Sequence, residues 1–385
     1  RYRFAPGPQT TSLPSMDFSG NQIGAPLAGV VVAHSAARTQ RYLGSPSLLD
    51  LGDGRLLASH DEFGPGSTEH TCARTRLFYS ADGGETWSPR SVIDGAFWSV
   101  LFAHREALYL LGTDRHHGNI VIRRSTDEGR QWTSPTDGQN GLLRSEGEYH
   151  CGPLPVRVHN GRLWRAFERR DPPEGWAPQY CAGVLSVPVE ADLLQAESWS
   201  HAGFMPSAQD WNGGDMGGWL EGNIVVTPSG DLVDILRVDT KSPDEVVAVV
   251  KISPDGTQLT FDPVTGFRPF PGGAKLFAIR FDPISQRYWT IAGPVAAVDR
   301  GPPPAWVRNN LVLQSSPDLV TWTEHQVLLY HPDTAKHGFQ YVSWDFSDDD
   351  IVFLCRTAFE DGEGGAHTKH DSNFITFHRI RGFRH

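Results

Sequence analysis

The chain has 385 residues, 39% hydrophobic and 21% charged, with 40 Gly, 28 Pro and 12 Trp, a composition that suits many short strands joined by tight turns and excludes a helical bundle. Its net charge of -11 disfavours nucleic acid and anionic membranes as partners, so any acidic ligand must be held by local arginines. No apolar run approaches the ~18 residues of a membrane span, and the four cysteines lack metal-type spacing.

In chain order, Gly29-Val30-Val31-Val32 reads as an isolated strand. Six repeats follow, beginning near Ser45, Ser99, Leu154, Asn223, Lys275 and Gln340. Each holds two strands around a short polar turn, such as Gly52-Asp53-Gly54 or His159-Asn160-Gly161, and then a third strand. Three turns share one pattern: Ser80-Ala81-Asp82-Gly83-Gly84-Glu85-Thr86-Trp87, Ser125-Thr126-Asp127-Glu128-Gly129-Arg130-Gln131-Trp132 and the weaker Ser316-Pro317-Asp318-Leu319-Val320-Thr321-Trp322. In this Asp box the carboxylate accepts backbone N–H bonds, Gly supplies positive φ, and Trp buries its ring under the next strand. The recurrence predicts an all-β fold, a single β-propeller domain over residues 1–385 built from four-stranded blades. The last repeat ends at Phe374-Ile375-Thr376-Phe377-His378 without an outer strand, so the segment near 29–33 is expected to close the ring. Cys151 and Cys181 fall within one repeat and are candidates for a disulfide. The start at Arg1 fits a processed secreted or periplasmic protein, and a monomer is expected.

Antiparallel strands alternate direction, so the Asp boxes lie on one face and the connections between second and third strands on the other. The second face carries the chemistry. His60, His117 and His150 are candidates for proton transfer. Arg237, Arg308 and Arg356, from three repeats, are suited to hold one carboxylate with bidentate geometry. Arg165, Asn223, Lys275, Gln340, Tyr341 and His370 complete the expected substrate-binding set. Carboxylates at this mouth can hold a structural calcium, although no Asp-x-Asp-x-Asp-Gly loop occurs and metal ligands are not assigned. The chemistry itself requires no cofactor.

Asp boxes around a propeller resemble the sialidase superfamily, whose true members carry an arginine triad, a Tyr/Glu nucleophile pair and an early Phe/Tyr-Arg-Ile-Pro motif; Tyr2-Arg3-Phe4-Ala5-Pro6 departs from that motif. A second resemblance rests on Ser45-Pro46-Ser47, Ala58-Ser59-His60-Asp61-Glu62-Phe63-Gly64-Pro65, Gly161-Arg162-Leu163-Trp164-Arg165-Ala166-Phe167-Glu168, Glu221-Gly222-Asn223, Arg308-Asn309, Gly338-Phe339-Gln340-Tyr341-Val342 and His370-Asp371-Ser372-Asn373-Phe374-Ile375-Thr376-Phe377-His378-Arg379. Together these resemble propeller enzymes that remove L-rhamnose from D-glucuronic acid in arabinogalactan and gum arabic, a group similar to the ulvan lyases. That resemblance implies seven blades and an acidic oligosaccharide or polysaccharide substrate.

It also implies an exo-acting lyase that releases rhamnose from rhamnose-α-1,4-glucuronic acid ends by β-elimination, with arginines neutralising the C6 carboxylate and histidines moving protons. Two alternatives stand beside it: a glycoside hydrolase acting on the same or a sialic-acid-like bond, for which Glu168, Asp215 and Glu221 supply carboxylates, and a non-catalytic carbohydrate-binding propeller. Tyr149 and Tyr341 are further candidate acids.

Overall fold

The computed structural model describes residues 26–385, and the Tyr2-Arg3-Phe4-Ala5-Pro6 stretch lies outside them. Antiparallel sheets follow one another along the chain. Blade 1 comprises Tyr42–Gly52, Arg55–Phe63, Arg74–Ser80 and Ser88–Asp94; blade 2 Phe97–His104, Ala107–Thr113, Ile120–Ser125 and Leu142–Arg144. Blade 3 holds Tyr149–His150, Arg157–His159, Arg162–Arg170, Tyr180–Pro188 and Ser200–Met205; blade 4 holds Met216–Val226, Leu232–Thr240, Val246–Ile252, Leu259–Thr260 and Phe267–Pro269. Blade 5 is Ala278–Asp282, Arg287–Ala292, Asn310–Ser316 and Thr323–Tyr330. Blade 6 takes Gly338–Ser347, Asp350–Ala358 and Phe374–Ile380 from the C-terminal repeat and Val30–His34 as its fourth strand.

The described residues therefore form six blades, not the seven implied by the rhamnose–glucuronate resemblance. The stretch after Ala202, where a further blade had room, is consumed by the outer strand of blade 3, a short turn and the inner strand of blade 4. No helix is long and apolar enough to cross a membrane.

Each blade buries both faces against its neighbours. Leu57, Leu77 and Ile93 meet Leu101 and Leu110 between blades 1 and 2; Trp164, Ala166 and Val184 meet Ile224 and Leu232 between blades 3 and 4; Leu43, Leu56 and Ala58 meet Val352, Leu354 and Phe377 between blades 6 and 1. Inner strands are joined by side chains. Ser343 Oγ accepts from Leu48 N–H (2.9 Å), Ser47 Oγ from Leu101 N–H (2.9 Å) and Asn223 Oδ1 from Ile279 N–H (3.0 Å). Burying such a hydroxyl or amide is favourable only when it is bonded, so these ties fix blade against blade.

The Asp boxes form as expected. Asp82 Oδ1 accepts from Thr86 N–H (2.9 Å), Asp127 Oδ1 from Gln131 N–H (2.9 Å) and Asp318 Oδ1 from Thr321 N–H (2.7 Å). Leu319 takes the positive φ in the third box, where no Gly is present. A fourth, degenerate box lies in blade 4: Ser253 Oγ donates to Asp255 Oδ1 (2.5 Å), which also accepts from Thr257 N–H (3.2 Å). It lacks the Trp that marks the others. All four cysteines are free thiols. Cys181 pairs with Arg169 on one side of the second strand of blade 3, while His150, just before Cys151, pairs with Glu168 on the other. The intervening strand holds the two sulfurs beyond disulfide reach.

Candidate active site

A cavity of about 480 Å³ opens at the mouth, lined from all six blades. Asp61 and Glu69 come from blade 1, Trp98 and His116 from blade 2, Trp176 from blade 3, Arg237 and Asp239 from blade 4, Trp306 and Arg308 from blade 5, and Tyr341, His370 and Asp371 from blade 6.

Four inner strands share one device. Each loses ladder register as it passes the axis, at Gly44/Ser47, Phe97/Val100, Leu220/Asn223 and Gln340/Ser343. Within each bulge one non-glycine residue has positive φ: Ser45 (29°), Trp98 (50°), Glu221 (58°) and Tyr341 (51°). A bulge inserts a residue and re-aims its side chain, and such φ values cost about 1–3 kcal/mol each. Ser45, Trp98 and Tyr341 thereby line the cavity, with Glu221 beside Tyr341.

Around Tyr341 the three arginines converge, and each acts on its hydroxyl. Arg237 is ion-paired through both terminal nitrogens: Nη1 donates to Glu221 Oε2 (2.9 Å) and Nη2 to Asp239 Oδ1 (3.0 Å). Burial opposes its charge, but Asp239 and Glu221 outweigh burial and raise its pKa. Arg308 and Arg356 have no carboxylate partner among the described residues. Arg308 Nη1 donates to Gln340 Oε1 (2.6 Å), and Arg356 Nη2 donates to the His370 carbonyl (2.6 Å) and ring Nε2 (3.2 Å). Burial pushes Arg308 down to about 10, and Arg237 and Arg356 add to the fall. Two desolvated guanidiniums without a counter-ion form a ready site for an anion. Burial works to raise Glu221, yet Arg237, His150 and the Tyr341 hydroxyl hold it below the usual carboxylate range.

Asp61 stands on the blade 1 wall. Trp98 N–H donates to its Oδ2 (2.7 Å), and Oδ1 is buried without a partner. Burial pushes this carboxyl up to about 7; the Trp98 N–H and Arg356 oppose the rise and Glu69 adds to it. It is poised to hold and release a proton near neutrality.

The expected residues divide into three groups. Arg237, Arg308, Tyr341 and His370 line the cavity, with Arg356 packed over the Tyr341 ring at 4.8 Å. Gln340 supports them: Oε1 receives Arg308, and Nε2 donates to the Lys369 carbonyl (2.7 Å). Burial, with help from Arg356, lowers His370 to about 3, so its neutral ring is pinned between Arg356 and Asp371.

The remainder stand outside the cavity lining. His60 faces the blade 6 side, stacked on Phe78 at 5.6 Å, and burial lowers its pKa. Strand alternation gives the mouth to Asp61 instead. His117 Nε2 bonds the Tyr180 hydroxyl (2.8 Å) and burial lowers its pKa to about 3. His150 lies one layer behind Trp98, with Nδ1–H donated to Glu168 Oε2 (2.7 Å). Arg165 donates to the carbonyls of Ala166 and Gly152, Asn223 ties blade 4 to blade 5, and Lys275 is held by Glu245 (3.0 Å) and the Pro304 carbonyl (2.8 Å).

Asp61, Trp98, Glu69, Asp239, Trp306 and Trp176 were not among the expected site residues. Asp61 follows the candidate His60 in sequence and Glu221 is one of the candidate carboxylates, but only the bulges and the neighbouring blades decide which side chain turns inward.

No protein-family model matches the chain, and no curated protein does. Solved structures do. A Hadza microbial sialidase, Hz136, superposes with a TM-score of 0.60 at 13% identity, covering 92% of this chain and 68% of that one. The α-L-arabinofuranosidase Arb93A from Fusarium graminearum gives 0.56 at 12%, covering 92% and 98%. The Trypanosoma rangeli sialidase, as a covalent intermediate with 2,3-difluorosialic acid, gives 0.55 at 14%, covering 88% and 54%. At these identities the likeness shows the fold, shared with propellers that process carbohydrates.

Proposed function

We propose that the protein is an exo-acting, retaining glycoside hydrolase for acidic sugars, with Tyr341 as nucleophile, Glu221 as its base, Asp61 as general acid/base, and Arg308 and Arg356 as the carboxylate clamp. One observation carries this reading: a buried tyrosine hydroxyl beside Glu221, ringed by three guanidiniums, shares a cavity with Asp61, whose Oδ1 is buried without a partner. Glycosidases that bond a sugar through tyrosine are a recognised departure from the two-carboxylate rule. The physical reason fits an acidic sugar. A carboxylate nucleophile would repel the substrate's own carboxylate, whereas a phenol deprotonated by Glu221 as it attacks presents no charge in the ground state.

The arginines are wrapped around the nucleophile itself, so the bound carboxylate sits within a few ångströms of the reacting carbon. That favours a sugar acid bearing its carboxylate on or next to the anomeric centre. In the first step Tyr341 Oη bonds the anomeric carbon, its proton passes to Glu221, and Asp61 gives its proton to the departing oxygen. In the second, Asp61 takes a proton from water as that water bonds the anomeric carbon, the bond to Tyr341 Oη breaks, and Glu221 returns its proton to the departing Tyr341 oxygen.

Elimination finds less support. It needs a base at C5 and an acid at the departing oxygen, and His60, His117 and His150 do not line the cavity. His370 does, but it is neutral and already bonded at both nitrogens.

The test is to treat the protein with a 2,3-difluorinated sialic acid and with rhamnosyl-glucuronate oligosaccharides from gum arabic. A stable adduct mapped to Tyr341 by mass spectrometry supports the proposal. Rhamnose release with ultraviolet absorbance of an unsaturated uronate, and no adduct, would replace it with the lyase.

A further inference from the structure

At the rim of the cavity, Glu69, His70 and His116 offer ligand atoms that all lie within 4.8 Å of one another. We infer that this cluster is a binding site for one divalent transition-metal ion, with an open coordination position directed at the cavity. The inference rests on the rim geometry and not on the reaction proposed above.

The spacing fits one ion. Zinc holds imidazole nitrogen and carboxylate oxygen at about 2.0–2.2 Å, so two ligands on a tetrahedral ion stand about 3.3 Å apart. His116 Nδ1 lies 3.2 Å from Glu69 Oε2, and His70 Nε2 lies 3.7 Å from Glu69 Oε1. Modest side-chain rotation closes the remainder, because the His70 side chain is exposed and its ring already lies against that of His116 at 4.7 Å.

Support behind the ligands is in place. Gly64 N–H donates to Glu69 Oε1 (2.9 Å), which orients the carboxylate, and His116 N–H donates to the Glu69 carbonyl (2.7 Å), which locks the blade 1 loop to the blade 2 loop. Asp114 closes the turn carrying His116 by accepting from Asn119 N–H and Nδ2–H, both at 2.8 Å. The Trp98 ring packs against His116 at 4.9 Å. Bonded partners of this kind hold metal ligands in orientation.

Two imidazoles and one carboxylate suit zinc, cobalt or nickel better than calcium, which prefers six or more oxygens. Three protein ligands leave one position for water or a sugar hydroxyl, and Glu69 and His116 both face the cavity. A second group, His331, His337 and Glu360, meets the same distance criterion but is less suited. His331 Nδ1 accepts from Asp333 N–H (3.0 Å), which leaves the proton on Nε2 and closes that nitrogen to a metal.

The experiment is a cobalt(II) titration of the chelator-treated protein, read by visible absorption and by calorimetry. One equivalent should bind, with the intense absorption of a four- or five-coordinate ion, and zinc should displace it. His70→Ala, a change at an exposed loop position, should weaken binding at least tenfold, and His116→Ala should abolish it while circular dichroism shows the fold unchanged. Absence of one-equivalent binding, or binding that survives both substitutions and disappears with His337→Ala, overturns the inference.

Discussion

Replacing Asp61 with Asn tests the acid and the electrostatics of the cavity together. The amide keeps an oxygen for the Trp98 N–H, now at 2.7 Å from Oδ2, and removes an ionisable group from a buried wall. Burial lifts the Asp61 carboxyl from 3.8 to about 7, a displacement equivalent to about 4 kcal/mol in favour of the protonated form. The sign follows from proton binding. The folded state holds this proton where the unfolded chain has released it, so the wild type loses stability as pH rises from about 4 to about 7 and levels off above. Asp61→Asn does not share that loss. Its stability advantage over wild type should grow from about 1–2 kcal/mol at pH 5 to as much as ~4 kcal/mol at pH 8, measured by urea unfolding at both values. Over the same series kcat/KM for a natural glycoside should fall by about 10²- to 10⁴-fold, while an aryl glycoside, whose leaving group needs no proton, should lose far less. If the two proteins show parallel stability at both pH values, or if the natural glycoside is cleaved at undiminished rate, the assignment of a buried proton to Asp61 is wrong.

Tyr341→Phe should abolish the covalent adduct and lower kcat by about 10³-fold or more, because no other cavity residue supplies both the oxygen and the base; an undiminished adduct by mass spectrometry rules out this nucleophile. Arg308→Gln should weaken binding of an acidic sugar by about 2–3 kcal/mol and leave a neutral sugar nearly unaffected, as measured by calorimetry. Arg237→Met leaves Glu221 and Asp239 without their shared cation and should destabilise the fold by about 3–5 kcal/mol, in contrast to Arg308→Gln; comparable melting temperatures for the two variants would contradict the distinction between the ion-paired Arg237 and Arg308, which has no carboxylate partner among the described residues.

Much of the architecture is legible in the residues alone. An Asp box is a local structure: Ser80, Asp82, Gly84 and Thr86 satisfy one another within seven residues, so the motif announces itself wherever it occurs. Three such turns and six polar hairpins suffice for a propeller, and the missing outer strand after His378 points to Val30–His34 as its fourth member. Strand direction also assigns the arginines to one face, and Arg237, Arg308 and Arg356 do meet there. What a period of two could not give was the phase at the axis. Bulges at Ser45, Trp98, Glu221 and Tyr341 each insert one residue and reverse which side chains turn inward. His60 and Asp61 are adjacent in sequence and point into different blade interfaces, so choosing between them needs the neighbouring blades. Nothing local marks Glu221 as the partner of a tyrosine 120 positions later, nor the Cys151–Cys181 separation across an intervening strand. Local hydrogen bonding wrote the blades into the chain. Only closure of the ring brought a phenol, a glutamate and three guanidiniums from blades 4, 5 and 6 around one point, because convergence on an axis belongs to the assembled circle and to no single repeat.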